Sequence, residues 1–182
     1  PEQIRAQATV RGYDAERLER GMLHLKQRFQ SFTPAMVRYY GSHGVLSEMN
    51  LFDINEDALY WLRWRREDGI KTGRAFRAEL EKLPRRPLLG NGPRSAAFSG
   101  MTALDFHAWD EIVDLLLVKH YFWHRGFDGM YGTVARWVHQ IQTWNPALNE
   151  RQCWTVVRAF LGIELPDVDC LADMELGFPQ AF

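Results

Sequence analysis

The chain has 182 residues, a formal net charge of −1, and 46% hydrophobic against 25% charged residues, the balance of a folded domain, at most two small ones, and not of a disordered segment. Near-neutrality excludes a global field that would draw the whole molecule onto nucleic acid or membrane. No stretch approaches the ~20 apolar residues of a bilayer span; the most apolar one, "IVDLLLV", is interrupted by Asp114.

The dominant period is that of a helix. "EQIRAQATVRG" predicts a short helix ending at Gly12. Asp14 then caps a longer one, in which Leu18, Met22, Leu25, Phe29 and Phe32 recur at four, three, four and three residues and form one apolar stripe. Gly21 lies inside it, either weakening the helix or marking a close contact with a neighbour. Thr33-Pro34 is a start signal, a capping hydroxyl followed by proline at the first helical position, and Gly41 is the stop. "GSHGVLSEMNLFDI" is expected to be a connection with a short extended piece.

Asn55 caps the next helix, with Glu56 and Asp57 complementing its dipole, and Gly69 is expected to close it. Thr72 is expected to open a further helix that Pro84 ends, with Ala75, Phe76, Leu80 and Leu83 on its buried side. Residues 84–101 are rich in Pro, Gly, Ser and Arg, a long irregular segment of the kind that carries function or motion. Thr102 or Asp105 is expected to open one long central helix near 103–125, apolar nearly all round. Thr133 starts a helix that Asn145-Pro146 breaks, and Asn149 caps another that Gly162 terminates. The expected fold is all-α, a single compact domain of six to eight helices over 1–163, with an acidic tail at 164–182 packed on it or extending from it. Two cysteines without paired spacing, Cys153 and Cys170, point to free thiols and a cytoplasmic location, and a chain beginning at Pro1 suggests processing or trimming.

Three constellations could carry chemistry. His120 and His124 stand four apart, the spacing that puts two imidazoles on one helix face. A metal site would need further ligands, and the glutamate of an HExxH motif is absent, since Tyr121 follows His120. The two are weak candidates, read first as amphipathic residues at a core rim. Asp105, Asp110, Glu111 and Asp114 could form an acid–base site if buried, but acids in a first helical turn also serve its dipole. No nucleophile is paired with a base by spacing, and no cofactor motif is present.

The third is a basic segment at 61–94. Arg63, Arg65, Arg66, Lys71, Arg74, Arg77, Lys82, Arg85, Arg86 and Arg94 face only Glu67, Asp68, Glu79 and Glu81. Arginine favours bidentate contact with carboxylate or phosphate, and Trp61 and Trp64 interleave with it for stacking. The plainer interpretation is a solvated face, or a clamp onto the acidic tail of the same chain. The expected function is a non-enzymatic protein-interaction module, an adaptor, inhibitor or complex subunit. It would take an acidic or mixed partner, or a second copy, through Arg63, Trp64, Arg66, Arg74, Arg77, Arg85, Arg86 and Arg94. The alternatives are a nucleic-acid or phosphate-ligand binder using the same segment and a metal-assisted hydrolase centred on His120 and His124.

Overall fold

The computed structural model describes residues 2–41, 44–92, 98–102, 104–118, 130–162 and 169–172. It is all-α, with no strand longer than an isolated bridge among the described residues. The chain divides into two units, the first Pro1–Met22 with Asn55–His120, the second Leu23–Ile54 with Tyr121–Phe182.

The first unit holds α1 (Glu2–Val10), the opening turns of α2 (Ala15–Gln30), α5 (Glu56–Glu81), α6 (Ser99–Thr102) and α7 (Phe106–Asp110). The Asp14 carboxylate accepts from the amide of Arg17 at 3.0 Å and so caps α2. The Asn55 side chain accepts from the amide of Ala58 at 2.9 Å and caps α5. Gly21 is a contact: an added Cβ would lie 2.1 Å from the carbonyl oxygen of Asp57. Arg17 and Arg20 each donate to Asp57 at 2.8 Å beside this approach.

Two expectations about this unit are corrected. Gly69 and Thr72 do not divide a pair of helices, because α5 runs unbroken through both. The glycine that matters is Gly73, buried with the Trp109 ring 3.0–3.3 Å from where its Cβ would be, so it admits a ring and does not stop a helix. The long helix is therefore α5. The helix expected near 103–125 ends at Asp110 after five residues, the described chain is non-helical from there to Val118, and 119–129 lie outside the described residues. Long-range bonds displace helical ones: the amides of Asp114 and Leu115 donate to the carbonyl of Leu89 at 2.8 and 3.1 Å, and β-branched Ile112, Val113 and Val118 fit such an extended path.

The second unit holds the rest of α2 with α3 (Pro34–Tyr40), α4 (Val45–Phe52), α8 (Met130–Trp144) and α9 (Glu150–Leu161). Thr33 and Pro34 open α3 as the sequence predicts. Asn149 and Gln152 form a capping box on α9, which ends on Gly162 in the left-handed conformation. The segment after Gly41 is not an extended connection: Val45–Phe52 is α4, entered from Gly44 and left through Asp53 in the left-handed conformation. Phe29 sits at the centre of an aromatic core, with the rings of Phe32, Phe52, Trp137, Trp144 and Phe160 at 4.9–6.2 Å. Val134, Val138, Ile141, Val156 and Val157 are fully buried around it. Buried Asn145 ends α8, its amide donating to the carbonyls of Phe29 at 2.5 Å and Ile141 at 3.3 Å.

Candidate interaction surface

The basic segment belongs to the first unit, on α5 and the chain that leaves it. The structure brings four of its arginines onto carboxylates of the same unit. Arg66 Nε donates to Asp105 at 2.5 Å. Arg74 lies 3.5 Å from Glu111. Arg77 reaches Glu81 at 2.9 Å and Asp114 at 2.8 Å. Arg86 grips both oxygens of Asp114 at 2.8–3.2 Å. Three of the four carboxylates that suggested an acid–base site, Asp105, Glu111 and Asp114, are thus counter-charges, and Asp110 is exposed. Asp105 also caps α7 through the amides of His107 and Ala108. Those bonds, the one from Ala108 first, together with Arg66 hold it below the usual carboxylate range. Asp114 is held well below that range, by Arg86 first, then by the amide of Leu89 and by Arg77.

The remaining candidates separate. Arg63 and Arg85 are exposed and form no ion pair among the described residues. Trp64 is half-buried, its indole N–H occluded and without a hydrogen-bond partner among the described residues. Stacking occurs one residue away, where the Arg65 guanidinium lies 5.3 Å over the Trp61 ring. Arg94, His120 and His124 lie outside the described residues. Of the acidic tail, Asp169 pairs with Arg151 at 3.0 Å, and the amide of Leu171 donates to Glu150 at 2.7 Å. Cys153 is a core thiol that burial pushes up to about 11.

The sequence did not indicate how far the large apolar side chains of this segment and of the chain paired with it stay exposed. Phe76 and Leu83, expected on a buried side of the helix, are 56% and 47% exposed, and Leu88, Leu115 and Leu117 are 70%, 51% and 48% exposed. All five lie close in sequence to groups that converge on Asp114. Phe76 adjoins Arg77, Leu88 adjoins Leu89, and Leu115 follows Asp114 and pairs with Gly90. At roughly 150 Å² per side chain the five together leave about 400 Å² of apolar surface in water. In the second unit, Val45, Leu46 and Met49 form a smaller exposed group on α4.

No family model, curated protein or solved structure matches the chain.

Proposed function

We propose that the chain is a protein-interaction module whose contact surface is built from the exposed apolar side chains of Phe76, Leu83, Leu88, Leu115 and Leu117, with Arg63 and Arg85, which form no ion pair among the described residues, as its cations. The exposure of those five side chains carries this reading. It keeps the contact within the 61–94 segment and the chain paired with it, but transfers the affinity from charge to apolar burial. Arg66, Arg74, Arg77 and Arg86 hold the surface together, while Arg63 and Arg85 steer an acidic or mixed partner toward it. Neutralised guanidiniums also weaken the case for nucleic acid, which needs cations available to phosphates.

The test compares capture of the binding partner by wild type, by Leu88→Asp/Leu115→Asp and by Arg63→Glu/Arg85→Glu, each confirmed to melt as wild type does. The patch variant should lose at least ~30-fold in affinity, the scale of an interface hot spot. The charge variant should lose a few-fold and respond to salt. Undiminished capture by Leu88→Asp/Leu115→Asp would reject this surface.

A further inference from the structure

Leu89–Asn91 and Asp114–Leu117 run parallel. The amides of Asp114 and Leu115 donate to the carbonyl of Leu89, and the amide of Asn91 donates to the carbonyl of Leu115 at 3.3 Å, which places Gly90 opposite Leu115. The buried Asn91 side chain continues the ladder by one rung. Its Oδ1 accepts from the amide of Leu117 at 2.5 Å and its Nδ2 donates to the carbonyl of Leu117 at 3.1 Å. With Leu89 and Asn91 turned inward, alternation along a strand turns the N–H and C=O of Leu88 and Gly90 outward. Both residues are exposed, and their main-chain groups form no hydrogen bond among the described residues. Gly90 puts no side chain over this edge; a Cβ there would only touch Leu115 at 3.6 Å.

A solvated row of main-chain donors and acceptors is a template for another strand. Its surroundings select the strand's chemistry. Pro87 bounds the edge at its start, so it offers a short grip around Leu88 and Gly90. Leu88 presents an apolar side chain to the docked segment. Arg86 is neutralised by Asp114, whereas Arg85 forms no ion pair among the described residues, so the net charge left at the start of the edge is positive. The same edge of a second copy would not answer it, since residues 83–92 contain no acid.

We propose that the Leu88–Gly90 edge binds an extended, acidic segment of a partner protein as an added strand. The segment's main-chain groups pair with Leu88 and Gly90, an apolar side chain packs on Leu88, and a carboxylate meets Arg85. This specifies the partner of the interaction reading above and rests on it.

The probe is a synthetic seven-residue peptide of alternating valine and threonine with an aspartate at each end and both termini blocked, titrated into the full chain to millimolar concentration. Binding should slow amide hydrogen exchange at Leu88 and Gly90 at least tenfold. Gly90→Ala, which keeps the outward N–H, should bind like wild type; Gly90→Pro, which removes it, should bind at least tenfold more weakly. A peptide N-methylated at alternate residues keeps sequence and charge but loses one row of donors, and it should fail to protect either amide of the unaltered protein. No protection at those amides, or equal binding by the N-methylated peptide, overturns strand addition. If the partner is still lost by Leu88→Asp/Leu115→Asp but retained by Gly90→Pro, the interaction reading stands and the strand falls alone.

Discussion

Gly21→Ala separates two explanations of one residue by the sign of its effect. Helix propensity alone favours the change, because alanine is about 1 kcal/mol better than glycine in a helix interior. The structure opposes it. The new methyl would lie 2.1 Å from the Asp57 carbonyl oxygen, 2.5 Å from its carbon and 2.9 Å from the amide nitrogen of Ala58. These are backbone atoms and cannot swing aside, so α2 and α5 must move apart where Arg17 and Arg20 hold the two oxygens of Asp57 and where Leu18 and Ala58 are buried. Forced overpacking costs roughly 1–3 kcal/mol even when side chains can yield. With the propensity gain subtracted from the upper end, the net loss is about 2 kcal/mol, a fall in Tm of roughly 4–8 °C for a chain of this length. Thermal melts by circular dichroism check this, with Gly100→Ala as the control, since nothing lies within 4 Å of a Cβ there. A Gly21→Ala protein melting higher than wild type would refute the close approach of α2 and α5.

Asp114 makes the first unit acid-sensitive. Its carboxyl is held below its ordinary value of 3.8, chiefly by Arg86, so the stability it confers is complete above about pH 4 and is lost as pH falls through the lower folded-state value. Asp114→Asn should flatten the acid limb of a stability–pH curve and, at neutral pH, speed exchange of the Leu89 and Leu115 amides. An unchanged acid limb would remove Asp114 as the hub. Leu116→Asp and Val138→Asp test where the cores lie: half-buried Leu116 should tolerate the charge at a cost of about 1 kcal/mol, whereas fully buried Val138 strands it among apolar groups and should unfold its unit at a cost above about 4 kcal/mol. Circular dichroism of the two purified variants reads the contrast directly, and equal behaviour would contradict it.

The features legible in the sequence are those with local causes. A cap is completed within three residues, so Thr33, Asn55 and Asn149 could be read without knowing the fold. Glycine was ambiguous because its two uses, stopping a helix and admitting a neighbour, look alike in one dimension. Gly162 stops a helix, whereas Gly21 and Gly73 admit a backbone and a ring. "IVDLLLV" failed as a helix because Asp114 is tied to Arg77, Arg86 and Leu89, all 25 or more residues away. The same distance hid the counter-charges of the arginines. A run of basic residues looks like an open anion surface until Asp105, Glu111 and Asp114 return to meet it. The exposure of Phe76 and Leu83 was invisible for the complementary reason, since their place on a helical stripe implies a cover that the described residues do not supply.

The two units hold together by different means, and this bears on why leucines stay in water. The second buries a cluster of aromatic rings and valines around Phe29. The first buries few large side chains, Leu18, Leu104 and Ile112 among the described residues, and its helices are tied mainly by exposed ion pairs on Asp57, Asp105 and Asp114. Exposed pairs add little stability each, whereas burying a leucine or phenylalanine is worth about 1.5–3 kcal/mol. A unit so short of apolar burial would gain most by folding Phe76, Leu83, Leu88, Leu115 and Leu117 inward, yet α5 and the paired segments hold all five outward. Folding stability does not account for that arrangement. On the reading proposed above, a partner that covers them would account for it, because each side chain would then gain on binding the burial it forgoes in the free chain.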